Sequence, residues 1–193
     1  MENIYLDIPT PTVDEVEKYI GEWYSLENYV NQENSLDKLF FELIPENKLI
    51  EDILIKSSTL NDFYSTHIFS IFTVAKHIHQ LDIDVRLNDG DLTLVNDIAD
   101  VKELNKRFYS FATKYCSHHN PDCFPIYDRY VDRVLRYFRK KDNFAQFKND
   151  DLKDYVKIND VLNKFASYYS LEEYSLKDLD RYLWQLGKEY FKK

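Results

Sequence analysis

The side chains with the clearest capacity for chemistry lie in the stretch 105–141, which reads NKRFYSFATKYCSHHNPDCFPIYDRYVDRVLRYFRKK. Pro125 fixes a turn in this stretch, and Asp128 follows it directly before a run with helical spacing. A carboxylate at the N-terminus of a helix is stabilised by the helix dipole. Such a group can stabilise positive charge in a transition state or activate a nucleophile. Asp128 is therefore the first candidate for a catalytic residue, and an ordinary helix N-cap is the competing interpretation.

Positive charge is gathered around the same stretch. Residues 101–148 contain eleven Lys and Arg against five Asp and Glu, a net charge of +6, whereas the whole chain carries −9. The remainder of the chain is therefore strongly acidic. A basic segment on an acidic protein indicates a site for an anionic partner, of which a nucleic-acid backbone is one.

The bulk composition sets limits on the class of protein. A chain of 193 residues suits one domain with a core of its own. Two cysteines, no basic and apolar leader in MENIYLDIPTPT, and no apolar run of membrane-spanning length predict a reduced, cytoplasmic protein with no membrane partner. No Walker loop or dinucleotide-binding glycine run occurs, so we expect neither a nucleotide cofactor nor any other cofactor.

Apolar spacing with a period near 3.6 predicts helices along most of the chain. The predicted helices cover, in order, about 12–23, 35–43, 49–56, 64–79, 98–115, 127–140, 155–168 and 175–191. Residues 82–97 are expected to be mostly loop, and weak alternation in DIDVRL and LTLV leaves room for one short β-hairpin. The fold class is thus all-α. We expect one helical domain over 1–193, with a core at 46–141 and a C-terminal helical pair at 142–193 that packs back on it.

The segment Phe124-Pro125-Ile126-Tyr127-Asp128, followed by Val131, Arg133 and Val134, resembles the signature of the helix-hairpin-helix DNA glycosylases. The resemblance covers about fifteen residues and is closest to enzymes of the adenine glycosylase and endonuclease III type. The same element, together with the C-terminal sequence LDRYLWQLGK, is similar to that of small uncharacterised bacterial proteins. The resemblance implies a glycosylase-like helical fold and a role in DNA repair, in which Asp128 assists departure of a base from its sugar.

The resemblance also implies roles for other residues. Lys106 and Arg107 fall near the position of the lysine nucleophile in bifunctional members of the superfamily. The family hairpin has two glycines that approach a DNA phosphate, whereas this chain reads VKELN at 101–105, so side chains would have to contact phosphate instead. Asn61 falls where the superfamily has a polar residue that fills the gap left by a flipped base, and a helix cap or interhelical turn is the competing interpretation. The residues expected to bind double-stranded DNA are Asn61, Lys102, Lys114, Arg129 and Arg133.

Several alternatives remain open at this point. The leading interpretation is a base-excision glycosylase-like protein, either a hydrolase or a lyase, and the runner-up is a non-catalytic helical binding protein with the same fold. Cys116, His118, His119 and Cys123 invite a zinc site, but one short loop would have to supply every ligand, so core and capping roles are favoured and no metal is expected. A metal-dependent nuclease would require Asp122, Asp128 and Asp132 to converge.

Overall fold

A computed structural model describes residues 7–191, which form an all-α structure with one very short antiparallel sheet. Within these residues the α-helices are α1 (Val13–Trp23), α2 (Glu27–Asp37), α3 (Ile50–Phe63), α4 (Ile71–Leu81), α5 (Asp84–Asn88), α6 (Thr93–Ala99), α7 (Tyr109–His119), α8 (Arg129–Asp142), α9 (Tyr155–Tyr168) and α10 (Leu176–Tyr190). A π-helical segment, Lys38–Leu43, extends α2, and 3₁₀ turns lie at Lys102–Leu104 and Asn149–Lys153. The segment 1–6, which contributed to the expectation of no leader, lies outside the described residues.

The helix starts follow the capping residues in the sequence. Thr12 accepts a hydrogen bond from the Glu15 N–H at 3.2 Å, and Ser175 accepts one from Asp178 N–H at 3.1 Å. Both interactions satisfy amide groups that the first turn of a helix leaves unpaired. These two predicted helix starts are confirmed.

The expected helix over 64–79 is wrong in its first turns, because α3 ends at Phe63 and α4 begins only at Ile71. Ser65 and His67 adopt left-handed backbone conformations that interrupt helical geometry. Asn61 stabilises this turn: its side chain accepts the Ile68 N–H at 2.8 Å and donates to the Ile68 carbonyl at 3.1 Å. The break therefore comes from a local polar network, which apolar spacing does not report.

The stretch 82–107 also departs from expectation. DIDVRL and LTLV lie in or beside α5 and α6, so the hairpin is not located there. The sheet instead pairs Asp100 with Arg107 and Val101 with Lys106, and Asn105 takes a left-handed conformation beside its turn. The resulting order is helix α6, hairpin and helix α7, with α7 starting at Tyr109 rather than near residue 98. In α6, Leu94 and Val95 of LTLV are fully buried, and this helix packs against α7.

The C-terminal helix α10 packs against both α1 and α8. Gly187 makes this approach possible, because a Cβ atom at this position would lie 2.6 Å from the Cβ of Tyr130. Tyr182 and Leu186 on the same helix are fully buried in the core. The close contact positions the first turns of α10 next to the residues that precede α8. No helix among residues 7–191 is long and apolar enough to span a membrane.

Candidate functional site

A cleft of about 950 Å³ opens between α1, α2, α7, α10 and the segment that leads into α8. This volume lies within the range of about 300 to 1,000 Å³ that is typical of ligand sites. One wall is aromatic: the Tyr29 and Trp184 rings lie 4.9 Å apart, and the Tyr130 ring meets Trp184 edge-on at 6.4 Å. Such a wall offers flat apolar surfaces on which a planar ligand can stack.

Asp128 lies in the lining of this cleft, as the N-cap of α8. Its Oδ1 accepts the backbone N–H groups of Tyr130 at 2.7 Å and Val131 at 3.0 Å. Pro125 precedes the residue and contributes its carbonyl to the buried Tyr155 hydroxyl at 2.6 Å, which anchors the turn. The two interpretations of Asp128 are therefore compatible, since it caps a helix and also faces a cavity.

Lys114 enters the same cleft from α7. The residue is only 5% exposed, and its ammonium group hydrogen-bonds to the Ser110 side chain and lies 4.9 Å from the centre of the Tyr64 ring. Burial lowers the pKa of Lys114, and the negative charges of Asp128 and Asp180 oppose this shift. An amine with a lowered pKa is a better nucleophile and a better base near neutral pH than an ordinary lysine.

Asp180 reaches the cleft from α10 and is the third ionisable group in this cluster. Burial raises its pKa to about 8; the charge of Asp128 adds to the shift, and Lys114 opposes it. Within residues 7–191 the Asp180 side chain makes no hydrogen bond. Carboxyl groups whose pKa is raised in this way are common at functional sites.

A neutral histidine supports the inner end of the cleft. His118 Nε2 and the Tyr64 hydroxyl are hydrogen-bonded at 2.9 Å, and burial with the nearby charges of Lys177 and Lys114 lowers the pKa of His118 to about 3. Burial also raises the pKa of the Tyr64 hydroxyl. This pair therefore contributes a fixed polar contact and no charge to the cleft.

Three further donors of lining residues have no partner among residues 7–191. They are the indole Nε1 of Trp23, the hydroxyl of Tyr109 and the Nε of Arg181. A buried donor without a partner costs free energy, commonly about 1 to 3 kcal/mol. The donor atoms themselves are buried, although their residues line the cleft.

The structure distributes the sequence-predicted site residues between two locations. Asp128, Lys114, Arg129 and Arg107 line the cleft. Arg107 is engaged by Asp100 at 2.7 Å and by the Lys153 carbonyl at 3.0 Å, and Arg129 lies over the Tyr130 ring.

The remaining predicted residues lie away from the cleft lining. Lys102 and Lys106 are exposed in the hairpin, so the lysine that accompanies Asp128 is Lys114 rather than Lys106. Arg133 donates to the Phe191 carbonyl at 3.1 Å, and Asn61 stabilises the turn after α3. The DNA contacts assigned to these side chains stay predictions.

Asp180, Glu33 and Trp184 line the cleft although the sequence did not indicate them as site residues. The helical period around 175–191 could have shown that Asp180 and Trp184 share a face, being four residues apart. It could not show that this face meets Asp128, because the contact depends on how α10 packs on α8. The acidic residues expected for a nuclease do not converge, since no group of three metal-ligating side chains occurs within the described part of the chain.

The fold and the cleft define an all-α protein with a candidate ligand site. A family model, HI_0787_N, described as an N-terminal domain, matches residues 15–123, and the chain belongs to this family. An uncharacterised protein of Haemophilus influenzae is 51% identical over 153 residues, which cover 77% of this chain and 72% of the relative. No solved structure gives a significant match.

These relatives carry no stated activity and none is described as a glycosylase. The family model ends at residue 123, so Asp128 and Asp180 both lie beyond its match. Lys114 and His118 lie inside it. The cleft is thus built from the matched N-terminal region together with α8 and α10.

Proposed function

We propose that the chain cleaves the N-glycosidic bond of a nucleobase in DNA, as a base-excision glycosylase. The observation that carries this proposal is the position of Asp128 at the N-terminus of α8, facing an aromatic cleft that also holds the Lys114 amine. The glycosylase-like segment at 124–134, which contains Asp128, also supports the proposal.

Each part of the cleft has a role in this reaction. The rings of Tyr130 and Trp184 offer surfaces for a base that has left the helix stack. The Asp128 carboxylate stabilises the positive charge that develops on the sugar as the glycosidic bond breaks. A water molecule or the Lys114 amine then attacks the sugar carbon, which gives a hydrolase or a lyase respectively.

The electrostatics of the rim determine how DNA would approach. Arg107 and Arg129 of the basic segment 101–148 lie in the cleft lining, together with Lys153. The remainder of the chain is acidic and repels a long duplex. We therefore expect the protein to contact only a short length of duplex. Its affinity for DNA should decrease steeply as the salt concentration rises.

The test is a base-release assay on DNA duplexes that each contain one altered base, from a panel of oxidised, deaminated and methylated bases. Asp128→Asn should reduce the rate of release by at least about 100-fold, because the amide retains the cap but carries no charge. Asp154 is the matched control: it caps α9 through Val156 N–H at 3.1 Å and is absent from the cleft lining. Asp154→Asn should release base at the wild-type rate.

Two outcomes separate the candidate functions. Salt-dependent DNA binding with no release of any base would reject the enzyme and favour the non-catalytic binding protein. Absence of both binding and release would reject a DNA function altogether. If release occurs, borohydride trapping distinguishes the two routes, since only attack by Lys114 gives a covalent protein–DNA product that Lys114→Met abolishes.

A further inference from the structure

Ser110 and Lys114 lie one turn apart on α7, and both line the cleft. The Lys114 Nζ and the Ser110 Oγ are hydrogen-bonded at 2.5 Å. The two side chains meet because residues four apart on a helix share a face. Lys114 is buried whereas Ser110 is partly exposed, so the hydroxyl is the member of the pair that is more accessible from the cleft.

The surroundings of Lys114 favour its neutral form. Its ammonium group contacts the Ser110 side chain, the Ser110 carbonyl at 3.4 Å and the Tyr64 ring, and it forms no ion pair among residues 7–191. The other titratable groups that face it from the packed elements are Asp128, Asp180 and His118. Burial is the largest influence on the pKa of Lys114 and lowers it. A neutral amine can accept the proton of the Ser110 hydroxyl.

We propose that Ser110 is a nucleophile with Lys114 as its general base, and that this pair hydrolyses a carboxylic ester. Pairs of serine and lysine perform acyl transfer on other folds. This activity goes beyond the proposed base release, because it requires neither DNA nor the Asp128 carboxylate. The two reactions share the cleft and the Lys114 amine.

The first turn of α7 supplies donors for the acyl oxygen. Ser110 is the second residue of this helix, and the N-cap Phe108 has no side-chain acceptor. The backbone N–H groups of Ser110 and Phe111 have no acceptor within the described part of the chain, as is usual for the first turn of a helix. With the helix dipole, these groups can stabilise the negative charge of a tetrahedral intermediate.

The lining around the pair is suited to an aromatic acyl group. The Tyr64 ring centre lies 4.9 Å from the Lys114 Nζ, and the Tyr109 and Tyr127 rings lie 5.0 Å apart. All three tyrosines line the cleft. Because flat apolar surfaces favour a planar apolar ligand, we expect a phenylacetate ester to react faster than an acetate ester.

The reaction needs water as its only co-reactant. The Ser110 oxygen bonds to the acyl carbon while its proton moves to the Lys114 amine. The bond between the acyl carbon and the alcohol oxygen then breaks, and Lys114 gives the proton to the leaving alcohol. Water attacks the acyl-serine and loses a proton to Lys114, and this proton returns to Ser110 as the carboxylic acid leaves.

The experiment uses the whole chain without DNA, with 4-nitrophenyl phenylacetate as substrate and a fluorophosphonate as covalent probe. Ser110→Ala and Lys114→Met should each lower kcat/KM by at least about 100-fold, and peptide mass spectrometry should place the probe on Ser110. Ser117 is the matched control, because it lies on the same helix and in the same lining without a lysine hydrogen bond among residues 7–191. Ser117→Ala should retain the wild-type rate and labelling.

The pH profile separates the role of the amine from that of the fold. After subtraction of the uncatalysed rate, hydrolysis should increase with pH as Lys114 loses its proton, and it should level off below pH 10.5, the ordinary pKa of a lysine. Lys114→Met should lack this increase. Ser110→Cys supplies a second variant, since the introduced thiol retains a nucleophile and should carry the acyl group as a thioester.

Several results would overturn the proposal. These are probe attached only to residues other than Ser110, undiminished hydrolysis in Ser110→Ala or Lys114→Met, and absence of both hydrolysis and labelling in the wild-type protein. None of them bears on base release, which is measured with DNA and depends on Asp128. Failure of this proposal is therefore distinguishable from failure of the proposed function.

Discussion

Gly187 on α10 lies directly against Tyr130 on α8, where an added Cβ would be 2.6 Å from the Tyr130 Cβ and 3.0 Å from its carbonyl oxygen. This contact determines how closely the two helices approach. Because Asp128 precedes α8 and Asp180 lies on α10, the same contact determines how the two carboxyl groups share the cleft. A glycine without unusual backbone geometry thus has a structural role through its absent side chain.

Gly187→Ala should destabilise the protein by about 1 to 3 kcal/mol, since overpacking against the Tyr130 backbone exceeds the gain in helix propensity. Gly21 on α1 is the matched control, because a Cβ added there would meet nothing within 4 Å among the described residues. Gly21→Ala should stabilise the protein by about 0.5 to 1 kcal/mol. Urea unfolding of both variants measures the difference, and equal effects would contradict the close helix contact.

The capping role of Asp128 can be measured separately from any reaction. Asp128→Ala should reduce the free energy of unfolding by about 1 kcal/mol, because two amide groups of α8 lose their acceptor. Asp128→Asn should retain most of this stability, since an asparagine oxygen can accept the same bonds. Chemical denaturation checks both values. A large loss in the asparagine variant would mean that its loss of base release reports unfolding rather than chemistry.

His118 and His119 should make the protein sensitive to acid. Burial lowers the pKa of each to about 3, so the unfolded chain binds protons below pH 6.5 that the folded protein does not. The stability that each contributes is present above about pH 6.5 and decreases by about 1.4 kcal/mol per pH unit below it. Because the pKa of Asp180 is raised, this group increases the stability of the protein as the pH falls over part of the same range.

The measurement is the free energy of unfolding at about pH 7 and pH 5. His118→Gln should lose less stability on acidification than wild type, by about 2 kcal/mol. Exposed His67 is the control, and His67→Gln should follow the wild-type pH dependence. An unchanged slope in His118→Gln would show that this histidine is protonated in the folded state.

Lys56 should make the free energy of unfolding depend on pH under alkaline conditions. It is fully buried, and its ammonium group donates to the Glu46 carbonyl at 2.9 Å and to Asn47 Oδ1 at 2.6 Å. Burial lowers its pKa to about 8, so between pH 8 and 10.5 the unfolded chain binds the extra proton and stability increases with pH. Lys56→Met should remove this increase and destabilise the protein by on the order of 3 kcal/mol, because Asn47 and the carbonyl lose a donor.

The comparison is made by urea unfolding at about pH 8 and pH 10 in wild type and variant. Differences between the two proteins isolate Lys56 from the buried tyrosines, which titrate at higher pH. Lys76→Met is the control, because Lys76 is partly exposed and forms a surface ion pair with Glu103 at 3.2 Å. A pH dependence shared by all three proteins would contradict the lowered pKa.

Local sequence determined much of the secondary structure and one part of the site. Thr12, Asp128 and Ser175 mark helix starts because a side-chain oxygen and the amides it accepts are only two or three residues apart. The turn at Pro125 similarly placed Asp128 before a helix. The break after α3 and the position of the hairpin were not predictable in the same way, since they depend on side-chain networks and on packing between helices.

Only the tertiary structure decided which groups meet in the cleft. Lys114 on α7, Asp128 before α8 and Asp180 on α10 are distant in sequence, and their proximity follows from helix packing at Gly187 and in the core. The raised pKa of Asp180 depends further on burial and on the neighbouring charge of Asp128. Residue spacing encodes neighbours within one helix, whereas desolvation and charge balance are properties of the assembled cavity.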